Sequence, residues 1–284
     1  MAYPVQQDSG YTIVLLSGDI DLSCSPDARK AILASLAPMA FHALLIFARV
    51  GAAMMLLPGL GEVEIPAGIR LAIALSLVPV LMPLLSDGLP PVPEAPAELV
   101  RLIVLETLAG LWIGGLARLI LLALAIAGQT AALMLGLASV LVQDPSLGVG
   151  GTALSRMFGM MAALFVLATG LYALPLSALA GSYALLPAGD PLPAGLAAES
   201  LAAVGAESLA LALRLAAPFI LAAVLFNLAL GLLARLAPQV QVYFVAVPAQ
   251  ILGGFVLLGL IAAPMLTAFG SSLADAFGRL PGSG

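Results

Sequence analysis

Apolar residues in this chain come in long runs rather than in alternation, and short stretches rich in proline, glycine and acid separate the runs. Residues 31–57 form the first run, with Arg49 near its end and Pro58-Gly59 closing it; residues 67–85 form a second, interrupted by Pro79 and Pro83. About 20 apolar residues reach across a hydrocarbon layer of about 30 Å, so each run predicts a membrane-spanning helix. Residues 88–96 carry four prolines and predict a stiff linker outside the bilayer. Residues 98–142 stay apolar so long that one helix would measure about 67 Å; two helices, or one bent helix standing out of the bilayer, are expected. Residues 152–187 predict another long segment kinked at Pro175. A proline- and glycine-rich loop and a stretch ending near Glu207 then lead to residues 217–254, a membrane hairpin turning at Pro238 and Gln239. Pro248, Gly253 and Gly254 predict that its returning helix is irregular. The expected fold class is all-α, an integral membrane protein of long helices and hairpins.

Composition narrows the function. The chain has 284 residues, 62% of them hydrophobic and 9% charged, whereas soluble chains carry about a quarter charged residues. A net charge of −5, with ten basic residues scattered along the chain, offers no track for a phosphate backbone, so nucleic acid is not an expected partner. A single cysteine, Cys24, excludes an intrachain disulfide, and the one histidine, His42, cannot assemble a metal site. No Ser/His/Asp, His-Glu or paired-carboxylate set shares a face, so neither an enzyme nor a cofactor is expected. Gly148, Gly150 and Gly151 lack the following Lys-Ser/Thr of a nucleotide loop. Residues 1–30 are polar and lack the pattern of a secretory leader; Arg29 and Lys30 before the first span favour a cytoplasmic N-terminus.

Polar groups inside the apolar runs carry what chemistry there is. Glu106, Gly110, Gly114 and Arg118 recur every four residues and mark a helix-packing face. A proton relay through Glu106 is the alternative, ranked second because no other titratable group lies near it in sequence. Asn227, Gly231 and Arg235 form a second stripe at the same spacing, which wants protein beside it; Arg235 alone also reads as a helix cap or a snorkelling side chain.

Together these residues have a familiar arrangement. Arg49 with Pro58, Ile65-Pro66 with Arg70-Leu71, Glu106, Gly110-Leu111 with Gly114, Ala127-Gly128, and Asp144-Pro145 lead to the final hairpin. There Asn227-Leu228-Ala229-Leu230-Gly231, Arg235-Leu236-Ala237-Pro238-Gln239-Val240, Val247-Pro248, Ile251 and Gly253 complete the set. From about residue 39 to 277 the chain resembles the FliR family of flagellar type III export proteins, with the SctT family of virulence injectisomes as the near alternative. The resemblance implies a FliP-like region joined to a FliQ-like C-terminal hairpin. It implies assembly with FliP-like and FliQ-like subunits and a FlhB-like protein, in the bacterial inner membrane at the flagellar basal body. Unfolded exported proteins would be the cargo.

The resemblance further implies a luminal plug at Gly136, Leu137, Ala138, Ser139, Val140, Leu141, Val142 and Gln143, lacking the phenylalanines of other members. Arg49, Arg118, Arg156, Arg214 and Arg235 are costly against lipid and are expected to face neighbouring subunits. The expected assembly contacts are Arg49, Glu106, Gly110, Gly114, Arg118, Asn227, Gly231, Arg235, Pro238, Gln239, Pro248 and Gly253. The competing class is a proton-coupled secondary transporter of small solutes with Glu106 as its coupling carboxylate. Ahead of this region, Leu16-Ser17-Gly18-Asp19-Ile20-Asp21-Leu22 and Ser25-Pro26-Asp27-Ala28-Arg29-Lys30 resemble the opening of a STAS domain. So short a piece cannot bury a sheet, so residues 1–30 are expected to be a fragment without function and residues 31–284 the export-gate domain.

Overall fold

The computed structural model describes residues 5–8, 11–14, 26–85, 88–136, 151–236 and 242–283. Two short strands, β1 (Val5–Asp8) and β2 (Tyr11–Val14), pair antiparallel with Val5 opposite Val14. Every later regular element is a helix: α1 (Pro26–Met54), α2 (Ala67–Leu85), α3 (Pro96–Met134), α4 (Ala153–Thr169), α5 (Ala173–Leu185), α6 (Ala194–Leu236) and α7 (Val242–Phe277). Five of them are long and apolar enough to cross a membrane, and the bent pair α4–α5 would make a sixth span.

The centre of the fold is α3, whose 39 residues rise about 58 Å at 1.5 Å each. Pro96 opens it where a missing N–H costs nothing, Glu98 sits favourably in its first turn, and Gly136 follows its end at φ 71°. Of the two arrangements expected for residues 98–142, one long helix is found as far as Met134, and residues 137–142 lie outside the described part. α1, α4 and α6 pack against α3. Ile113, Leu116, Ala117 and Leu124 are buried along with Gly110, Gly114 and Gly128.

Glycines set how closely α1 approaches. A Cβ on Gly110 would collide with the Arg49 carbonyl oxygen, and one on Gly114 would lie 2.8 Å from the Ala53 carbonyl oxygen. The contact positions advance together along both helices, so α1 and α3 run parallel, and α2, which separates them in sequence, packs against α1. The helix α6 is also parallel to α3: Trp112 Nε1 donates to Ser200 Oγ at 2.9 Å, and Ser208 Oγ donates to the Leu119 carbonyl at 2.6 Å. α4 is antiparallel, joined to α3 where Gln129 Oε1 accepts from Thr152 N and Oγ1. Thr152 in turn caps α4 by accepting from Ser155 N.

Four sequence expectations change here. The kink expected at Pro175 lies earlier, where the chain turns by 76° between α4 and α5. Gly170, at φ 75°, ends α4 in a conformation that favours glycine, whereas Pro175 sits harmlessly in the first turn of α5. α2 continues through Pro79 and Pro83, and α7 through Pro248, Gly253 and Gly254. The stretch before the last hairpin is continuous with its first arm, making α6 a helix of 43 residues.

Candidate functional site

Arg49 lies in the second half of α1, and Glu106 lies in the first third of α3. Both are fully buried at 0% exposure. Arg49 Nε donates to Glu106 Oε2 at 2.8 Å and its Nη2 to Oε1 at 3.1 Å, the two-pronged geometry that matches a guanidinium to a carboxylate. The remaining terminal nitrogen, Nη1, donates to Ser182 Oγ at 3.2 Å and to the Leu186 carbonyl at 3.0 Å. Glu106 Oε1 also accepts from Gly189 N at 2.9 Å. The Tyr183 ring lies under the guanidinium, 3.9 Å from its central carbon. Tyr183 itself buries a hydroxyl with no hydrogen-bond partner among the described residues.

This cluster joins α1, α3, the last turn of α5 and the α5–α6 connection at one point. It also accounts for both carboxylate oxygens of Glu106. Sequence singled out Arg49 and Glu106 without pairing them and did not mark Ser182, Tyr183 or Gly189, because 57 residues separate Arg49 from Glu106 and 133 separate it from Ser182. One signal was available: Arg49 and Glu106 are opposite charges inside spans that tolerate neither alone.

Other arginines expected to seek neighbouring subunits are also paired within the chain. Arg118, half-buried on α3, bonds Glu62; Arg156 on α4 lies 3.7 Å from Glu64. Both acids sit in the turn after α1, so these pairs fasten that turn over α3 and α4. A groove of about 620 Å³ opens beneath it, floored by Leu121, Met160, Ala163 and Leu167. No group of three or more His, Cys, Asp or Glu side chains among the described residues could hold a metal ion.

The second stripe is different. Asn227, Gly231 and Arg235 are exposed on the outer half of α6. Asn227 Nδ2 donates to the Ala223 carbonyl of its own helix at 2.8 Å, and a Cβ on Gly231 would meet no atom within 4 Å. Leu225, Leu228, Leu232 and Leu236 are exposed beside it, as are Phe244, Leu252 and Phe255 on the facing arm. On α7, Pro248 and Gly253 are exposed too, with open space around Gly253. Pro238 and Gln239, and residues 137–143 of the expected plug, lie outside the described residues. Gly136 is described: its carbon lies near Gln250, whose Nε2 donates to the Met134 carbonyl at 2.8 Å.

A chain whose polar side chains are spent on joining helices, and which leaves a long hairpin face open, is built for packing. Comparison with known proteins agrees: the model of the family "Bacterial export proteins, family 1" matches residues 40–276. The chain belongs to that family. Proteins similar to it include the flagellar biosynthetic protein FliR of Caulobacter vibrioides, 37% identical over 78% of this chain and 88% of that protein. The FliR proteins of Bacillus subtilis and Escherichia coli are each 28% identical, over 76% and 78% of this chain and 83% and 84% of their own lengths. The family match covers the Arg49–Glu106 cluster and the α6–α7 hairpin, and begins after β1 and β2.

Proposed function

We propose that this family 1 membrane protein is a non-enzymatic structural subunit of the flagellar type III export gate, resident in the bacterial inner membrane at the basal body. One observation carries the reading: a match to the export family over residues 40–276, with relatives named as flagellar biosynthetic proteins. The geometry supports it. The exposed Asn227–Gly231–Arg235 stripe is polar, slotted and flanked by leucines, which suits close contact with other helices better than contact with lipid. In this reading α6 and α7 form a FliQ-like hairpin that packs against FliP-like and FliQ-like subunits and a FlhB-like protein. Residues 136–143 form an apolar plug for the channel taken by unfolded flagellar subunits, and residues 1–30 are an appendage to the export domain.

The transporter alternative required a free coupling carboxylate, and Glu106 is engaged by Arg49 and Gly189 instead. Two experiments test the proposal. Expression of the chain in a flagellated strain lacking its own FliR should restore motility and secretion of flagellar subunits. Affinity purification from membranes should recover FliP-like and FliQ-like proteins in fixed ratio. A chain that accumulates in the membrane but restores neither secretion nor any co-purifying subunit would overturn it.

A further inference from the structure

The α4–α5 pair is the one bent span among the described residues, and its outer arm needs holding. α4 is fastened along α3 by Gln129–Thr152, by Ser155 Oγ donating to the Ala125 carbonyl, and by Phe158 against Gly128. Past the 76° turn, α5 leaves that track. Its last turn then meets Arg49, through Ser182 Oγ, the Tyr183 ring and the Leu186 carbonyl. Three residues on, Gly189 N reaches Glu106. One guanidinium and one carboxylate therefore fasten four points on a segment of eight residues, 182–189, to two parallel helices that are locked at Gly110 and Gly114.

We infer that Arg49 and Glu106 are positioning residues: their buried pair latches the outer arm of the bent α4–α5 span to α1 and α3, and so sets the shape in which the subunit joins its assembly. The latch is chosen for direction, not strength. A buried ion pair adds little net stability compared with apolar side chains of similar size, yet it accepts only one geometry. Two apolar residues in its place would pack, but would leave the Leu186 carbonyl and Gly189 N without a fixed partner, and Ser182 Oγ with only the Leu179 carbonyl of its own helix, to which it donates at 2.6 Å. The arm would keep its helix and lose its address. The seat of the chain's C-terminal residues depends on the same arm, because Gly282 lies directly on Gly181 and Ala178 of α5.

The proposal rests on the gate reading only for its assembly readout, so the test has two arms. A cysteine is placed at the half-buried Ala188 in a Cys24→Ser background, and its rate of reaction with a maleimide is followed in membranes. Partner recovery is measured on the same samples. In Arg49→Leu/Glu106→Leu the rate should rise about tenfold, the equivalent of losing one hydrogen bond to a charged group, while membrane levels stay near normal and partner recovery falls. Arg49→Lys keeps the charge without the fork, and should give an intermediate labelling rate. Labelling and recovery both equal to wild type in the double variant would overturn the latch. If the double variant does not accumulate, Arg49→Lys decides: an unchanged rate overturns the latch and a faster one supports it. Should the wild-type chain recover no partners, the gate reading fails and the labelling rates still decide the latch.

Discussion

At the scale of single residues, the molecule depends on charges whose partners are distant in sequence. Glu106→Ala leaves Arg49 fully buried beside Ser182 and Tyr183 with no counter-charge, and should destabilise the chain by about 3–5 kcal/mol. Thermal unfolding in detergent measures this, and an unmoved midpoint would show that Arg49 reaches another anion or water. Glu62→Gln, by contrast, weakens a pair that is partly exposed and outside the core, and should cost no more than about 1 kcal/mol. The sequence displayed every one of these side chains but none of the pairs. Periodicity reports which residues share a helix face; it says nothing about which of six other helices lies against that face. Glu106 looked isolated for that reason, although its partner had already been singled out as a lone arginine in the first span.

At the scale of elements, glycine spacing distinguishes a filled groove from an open one. Gly110→Ala puts a methyl group into the Arg49 carbonyl, and forcing α1 away should cost about 1–3 kcal/mol. Gly115→Ala, one position along, meets nothing within 4 Å, and should be neutral or stabilising by less than about 1 kcal/mol. Paired unfolding measurements separate the two; equal effects would mean that the helices are not in close contact at Gly110. Asn227→Leu and Arg235→Leu alter side chains exposed on the outer half of α6. Each should leave membrane levels unchanged or raised while partner recovery falls, and undiminished recovery would remove this stripe from the interface. Most helices were legible as apolar runs closed by proline or glycine: residues 31–57 hold most of α1, and residues 67–85 are α2. The bend between α4 and α5 was misplaced because proline was given more weight than glycine. Prolines inside the bodies of α2, α6 and α7 do not end those helices, Pro175 sits in the first turn of α5 where proline is tolerated, and the left-handed residue that ends α4 is Gly170.

At the scale of the whole molecule, long helices and an open apolar face fit the proposed place in an assembly. α3 and α6 are each longer than a bilayer is thick, and the hairpin half of α6 remains apolar and uncovered to its last residue, Leu236. The chain purified alone should therefore unfold at a lower temperature than the same chain in its assembly, compared in one detergent; equal midpoints would count against the gate. Removal of residues 1–25 should leave assembly and secretion intact, because a two-stranded ribbon is marginal on its own and the family match begins only at residue 40. Loss of secretion at normal protein levels would show otherwise. The all-helical architecture was legible from hydropathy alone, since only closed hydrogen-bonding patterns survive in lipid. The parallel course of α1, α3 and α6 was not, because each run reads the same in either direction. That parallel course also has a consequence in time. Arg49 leaves the ribosome 57 residues ahead of Glu106, an interval of roughly 3–11 s at ordinary rates of synthesis. During that interval the first hairpin carries a cation whose counter-charge has not yet been made. An α1 that enters lipid alone carries that arginine at a cost of about 2.5–3.5 kcal/mol, which α3 removes on arriving beside it, so the order of synthesis favours α3 as the neighbour that α1 accepts.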